Sequence, residues 1–143
     1  MAAQLLIYPE TDMAGVYANL QENSRFPSRI ENADGYFTTL ALARWCANCY
    51  LPDEQSSLDW RASPFRAGSL TGVAPAVVCT AEFDPLRDEG EAYADALLAS
   101  GVATYRRHGS GMIHGYFGMG DSSPAALAEA ARVRSDFKTL LNR

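Results

Sequence analysis

The chain has 143 residues, 48% of them hydrophobic, with a formal net charge of -5 and a pI near 4.9. That allows one domain at most, with enough apolar content for a core, and argues against overall disorder. An acidic chain whose longest basic cluster is Arg106-Arg107 is poorly suited to nucleic acid or an anionic membrane, so a small-molecule ligand is expected. Met1-Ala2-Ala3-Gln4 lacks the basic start of a signal peptide, and no apolar run reaches membrane-spanning length. A soluble, cytoplasmic protein is the expectation. Three cysteines do not make a disulfide framework and read as core or surface thiols.

Leu5-Leu6-Ile7-Tyr8, ended by Pro9, reads as a short strand buried on both faces, as in parallel sheets. A buried-type strand directly after Met1 leaves no room for an opening element, which is the pattern of a chain cut into the middle of a domain. Residues 10–35 are polar and without a period that would give a packed face; they read as surface loop. From Thr39 to Tyr50 the spacing predicts a helix with Leu40, Ala41, Trp45 and Cys49 on one face, Thr38 as N-cap and Pro52 beyond its end. Ala76–Ala81 is a second apolar, β-branched run that leads through Glu82-Phe83-Asp84-Pro85 into a helix over 87–100, stopped by Gly101.

Val102–Arg107 alternates like a half-exposed strand, and a Gly-rich loop, 109–115, is expected to follow it. The closing helix, Pro124–Leu141, places Leu127, Ala130, Val133, Phe137 and Leu140/Leu141 on one face. The order of strands and helices is that of an α/β sheet built from parallel crossovers.

An Asp at the end of one buried strand and a His after the next lie on the same edge of a parallel sheet, where such folds bind ligands. A carboxylate bonded to a histidine Nδ1–H fixes the tautomer and leaves Nε2 to take a proton from a hydroxyl nucleophile. On residue types alone, an Asp84 that caps the following helix and a His114 incidental to its loop remain equally open.

Ala81-Glu-Phe-Asp84-Pro-Leu86 followed by Met112-Ile-His114-Gly115-Tyr116 resembles the hormone-sensitive-lipase-type esterases, which pair a D-P-L acid motif with an H-G-F/Y histidine motif. Leu6-Ile7-Tyr8-Pro9 with Thr11-Asp12, Gly35-Tyr36-Phe37, Arg44-Trp45, Tyr50-Leu51-Pro52 and Ala62-Ser63-Pro64 extend the likeness over nearly the whole chain. The resemblance implies an α/β-hydrolase fold, mainly parallel sheet flanked by helices, and hydrolysis of short-chain carboxylic esters through an acyl-enzyme. Asp84 would be the triad acid and His114 the general base, with no metal or other cofactor. It also implies dimerisation through an edge strand.

Triad order in α/β-hydrolases puts the G-x-S-x-G elbow before the acid, yet neither that motif nor an H-G-G-G oxyanion loop occurs in the sequence. Residues 1–143 are therefore expected to be the C-terminal portion of such a domain, inactive alone. The stretch Arg107–Met112 is a residue longer and richer in glycine than the family's usual approach to its histidine.

Several features invite other readings. Gly120-Asp-Ser122-Ser-Pro124 resembles an elbow, but Pro124 replaces the second Gly and the order is wrong; Ser as N-cap with Pro124 at the first helical position accounts for it. Trp45-Cys46-Ala-Asn-Cys49 has thioredoxin-like spacing, which makes a thiol oxidoreductase using Cys46 and Cys49 an alternative class. It falls late in a helix, whereas redox motifs sit at helix N-termini. Glu82 and Asp88 flank Asp84 as rival acids, Glu82 still in the strand and Asp88 at the helix dipole. His108 lacks the H-G-Tyr setting and is given no role. A further alternative is a truncated, non-catalytic chain that pairs with a partner supplying the missing half.

Overall fold

The computed structural model describes residues 2–15 and 20–142. Strand β1 (Gln4–Ile7) opens the chain and runs into a 3-10 turn, Met13–Gly15; the short helices α1 (Leu20–Asn23) and α2 (Ser28–Glu31) and the longer α3 (Leu40–Tyr50) follow. Beyond two further 3-10 turns come β2 (Ala76–Phe83), α4 (Arg87–Ala99), β3 (Thr104–Ile113), a 3-10 turn at Tyr116–Gly118 and α5 (Pro124–Leu141).

The strands form one sheet in the order β1-β2-β3, parallel throughout, with Gln4 opposite Ala76 and Ala76 opposite Thr104. The central strand explains its composition. Ala76 to Ala81 are all buried, and alternate residues enter opposite layers. Ala76 and Val78 pack with Tyr93, Ala94 and Leu97 of α4, while Val77 and Cys79 pack with Val133 and Leu140 of α5. A strand sandwiched between helices has no polar face, which is why the run is continuously apolar. Strand β1 is half-buried along its length, because among the described residues it pairs with β2 alone.

Helix α4 ends as its glycine foretells. Gly101 takes φ 78°, its N–H donates to the Leu98 carbonyl at 3.0 Å, and the Val102 N–H donates to the Leu97 carbonyl at 3.0 Å. This is a Schellman closure, and Val102 packs beside Leu97 as that motif favours. Helix α5 starts with Ser123 Oγ accepting the Ala126 N–H at 3.2 Å and Pro124 in the first turn.

Four expectations change. The expected surface loop over 10–35 lies partly outside the described residues, at 16–19; among those described, Thr11, Asp12, Phe26, Ser28, Arg29 and Asn32 are buried, with Ser28 and Arg29 docked on the start of α4. In α3 the N-cap is Thr39, whose Oγ1 accepts the Leu42 N–H at 3.1 Å, and the packed face is Ala43 and Ala47 with Leu40. Ala41, Trp45 and Cys49 point outward, Trp45 being 63% exposed. In α5, Ala126 turns inward and Leu127 and Leu141 outward, so the buried stripe is Ala126, Ala130, Val133 and Leu140.

The last change is in β3, which continues through the Gly-rich stretch to Ile113 rather than yielding to a loop. Register passes from Ala81–Gly109 to Phe83–Ile113, so two steps on β2 face four on β3. The extra residues form a bulge at Gly111, with φ 73°, and Glu82 pins it by accepting the Gly111 N–H at 2.6 Å and the Ser110 hydroxyl at 3.1 Å. The greater length and glycine content of this stretch are thus absorbed inside the strand.

Candidate active site

Parallel strands bring their C-terminal ends to one edge, and the chain places three notable side chains there: Tyr8 after β1, Asp84 after β2 and His114 after β3. Asp84 leaves β2 just before Pro85, which cannot donate to a ladder and ends the strand. One carboxylate oxygen, Oδ1, accepts the Leu86 N–H at 2.9 Å and shapes the turn into α4. The other, Oδ2, lies 2.8 Å from His114 Nδ1. Asp84 therefore takes part in both arrangements left open by its residue type, shaping the helix entry and holding the imidazole.

The pair is asymmetric in its surroundings: the Asp84 side chain is 1% exposed and that of His114 24%. An ionised carboxylate so placed accepts the Nδ1 proton, which leaves Nε2 as the nitrogen free to exchange protons. The His114 backbone is carried into a tight turn by Gly115, at φ 85°, where a Cβ would press on the Phe37 ring at 3.2 Å. From the rear, Asn32 Nδ2 donates to the Asp84 carbonyl at 3.4 Å, so buried Asn32 also braces the acid.

Residues that sequence reasoning passed over crowd the same edge. Tyr8 has φ 44°, the sole non-glycine with positive φ among the described residues, a conformation that costs about 1–3 kcal/mol. Its ring lies 4.7 Å from the imidazole, centroid to centroid, and 5.3 Å from the Tyr116 ring. Burial pushes its hydroxyl up to about 12, so it is neutral at physiological pH. Glu10 has a buried Oε1 without a hydrogen-bond partner, and burial holds its carboxyl above the usual range against the pull of Arg29 and His114. The one available signal for Tyr8 was its position at the strand end before Pro9; nothing local marks Glu10.

The other candidates lie apart from this pair. His108 Nδ1 sits 2.8 Å from Glu91 Oε1, on the α4 side of the sheet, in a groove shared with Thr80 and Arg106. Glu82 holds the β3 bulge, and Asp88 Oδ2 accepts the Ser28 N–H at 2.7 Å in the first turn of α4. Ser122 is exposed in the turn before α5. Cys46 and Cys49 are exposed thiols in the middle and last turns of α3, away from the helix N-terminus that would activate them, and Cys79 is buried. Among the described residues no group of three or more His, Cys, Asp or Glu could hold a metal ion, and no helix is long and apolar enough to cross a membrane.

The likeness to known proteins agrees with this geometry. LipN, a carboxylic ester hydrolase of Mycobacterium tuberculosis, is 38% identical over 130 residues, covering 88% of this chain and 32% of LipN. Carboxylesterase NlhH of the same organism is 34% identical over 143 residues, covering 97% of this chain and 42% of NlhH. Among solved structures, carboxyl esterase 2 from the fungus Tuber melanosporum superposes with a TM-score of 0.83 at 30% identity, over 98% of this chain and 45% of the other. The chain thus spans less than half the length of each of these relatives, and the resemblance to esterases is borne out. With residues 1–118 matching the family as well, parallel strands that deliver an Asp and a His to one edge have a simple explanation: this chain belongs to the alpha/beta hydrolase fold family.

Proposed function

We propose that this chain supplies the acid, Asp84, and the general base, His114, of a serine-type carboxylic ester hydrolase, and that residues 1–143 are the C-terminal portion of its domain. The carrying observation is the 2.8 Å contact between Asp84 Oδ2 and His114 Nδ1 at the C-terminal edge of a parallel sheet. In this reading the nucleophilic serine and the oxyanion-hole donors come from polypeptide outside these residues. His114 Nε2 takes the serine proton as the acyl-enzyme forms and returns it to the leaving alcohol; a water then releases the acid by the same route. Asp84 stays ionised and stabilises the imidazolium. The substrate is a small carboxylic ester, and the setting cytoplasmic.

A second reading has an observation of its own. Ile30, Phe37, Leu42, Trp45, Tyr50 and Trp60 are exposed, and β1 has an open edge among the described residues. Large exposed apolar side chains and an open strand edge each favour association, with the remaining half of the domain or with a second copy.

The test joins the part of NlhH that this chain does not cover to the chain itself. The chimera is expected to hydrolyse a short p-nitrophenyl ester and to be labelled by a fluorophosphonate. Asp84→Asn should lower turnover by about 10,000-fold, and His114→Ala by at least as much. The chain alone should show neither adduct nor turnover. A stoichiometric adduct on the chain alone, lost on His114→Ala, would mean it carries its own reactive serine, with Ser122 the first suspect; a chimera indifferent to His114→Ala would refute the role of the pair.

A further inference from the structure

We propose that Tyr8 is a positioning residue for His114, bracing both the imidazole and the turn that carries it; the inference rests on reading Asp84 and His114 as the acid–base pair. The geometry has three parts. The Tyr8 ring stands beside the imidazole at 4.7 Å, tilted by 45°, and closes one side of the space the ring could swing through. The phenol oxygen accepts the Phe117 N–H at 2.5 Å, reaching across 109 residues of sequence to the turn after His114. The Tyr8 N–H is fixed in turn by the Cys79 carbonyl at 2.8 Å, so the brace is anchored in the central strand.

These contacts hold a side chain that would otherwise be loosely held. Asp84 restrains His114 through a single hydrogen bond, about which the imidazole can still rock. The backbone beyond it passes through Gly115 in the left-handed region, the most permissive residue in the turn. Tying the Phe117 N–H removes that freedom from one side, and the ring removes it from the other. The unusual backbone of Tyr8, at φ 44°, is what turns the phenol back over the sheet edge instead of letting it continue the alternation of β1. Strain kept at a non-glycine residue directly beneath the proposed base is accounted for by this role. The hydroxyl is neutral at physiological pH, as a phenol ordinarily is, and burial raises it further, so Tyr8 acts by position and adds no charge beside the imidazole.

The chain contains two histidines, which makes the test direct: imidazole 15N spectra of the chain, with His108→Gln assigning the His114 signals. In the parent chain His114 should show the Nδ1–H tautomer with a slowly exchanging Nδ1 proton. Tyr8→Phe keeps the ring and removes the acceptor; the Phe117 amide should then exchange about tenfold faster, as expected for loss of one hydrogen bond, and the Nδ1 proton should exchange faster too. Tyr8→Leu should add a measurable fall in the Nδ1–H share. Should Tyr8→Leu fail to fold, Tyr8→Phe still decides. An unchanged His114 signature in Tyr8→Phe, with circular dichroism as in the parent, would overturn the proposal. Asp84→Asn separates the two readings: if it leaves the His114 signature intact, the acid–base pairing fails, whereas a response to Asp84→Asn without one to the Tyr8 variants sinks the brace alone.

Discussion

Replacing Arg29 by Ala should cost more stability than any other single change outside the two helical layers, and its size can be worked from the contacts. Arg29 is 1% exposed and Glu89 0%. Glu89 Oε2 accepts from Arg29 Nε at 2.9 Å and also from Nη2, while Oε1 accepts the backbone N–H groups of Thr11 at 2.5 Å and Asp12 at 3.2 Å. Arg29 also lies over the Phe26 ring, 4.9 Å from its centre. Taking away Arg29 leaves the buried Glu89 carboxyl without its partner, and breaking such a pair costs about 3–5 kcal/mol, a large part of the roughly 5–15 kcal/mol that holds a domain together.

A pH signature separates the charge effect from lost packing. Burial outweighs Arg29 and raises the Glu89 carboxyl from 4.5 to about 7. A carboxyl whose folded value is raised binds its proton more tightly in the folded chain. Its contribution is therefore fully present below 4.5 and is lost as pH climbs through about 7, a window worth about 3 kcal/mol at 1.36 kcal/mol per unit. Without the Arg29 charge the upper limit moves higher still, so the Arg29→Ala deficit should be small in mild acid, where Glu89 is protonated in both proteins, and should grow as pH rises through neutrality. Urea unfolding followed by circular dichroism, at about pH 5 and about pH 7.5, reads this directly. A deficit below about 1 kcal/mol near neutrality, or one of equal size at both pH values, would refute the reasoning.

Two other outcomes follow from local geometry. A Cβ at Gly15 would overlap the Arg29 guanidinium, which Glu89 and the Asp12 carbonyl hold in place, so Gly15→Ala should lose stability as Arg29→Ala does, in the same urea titration. Two of the three thiols should react rapidly with an aromatic disulfide reagent in the native chain; Cys79, buried and pushed up to about 11 by burial, should react only in denaturant.

How much was legible in the residues differs along the chain. The glycine at position 101 and Ser123 ahead of Pro124 act through contacts within a few residues, and the apolar run Ala76–Ala81 marks a strand covered on both faces; each structure follows its signal. The meeting of Asp84 with His114 was one of two readings open on residue types and was favoured by the esterase resemblance; parallel strands deliver their ends to one edge, and there the two side chains meet. The packed face of α3 was not. A helix with apolar residues on several sides offers more than one stripe, and the small Ala43 and Ala47 pack inward because Met13 and Leu40 lie against them.

The sequence by itself determined the α/β class and the positions of the strands and long helices, since periodicity, caps and turn residues are local physics, and its esterase-like motifs singled out Asp84 and His114. Tertiary structure alone decided the rest. Residues 10–35 carry no amphipathic period, and what fixes Arg29 among them is its burial against Glu89, 60 residues away. The Gly-rich approach to His114 became strand because β2 and Glu82 supply the partners its backbone needs. Tyr8 came to lie beside His114 through a hydrogen bond spanning 109 residues, a contact that exists only once the sheet has brought the two strand ends together.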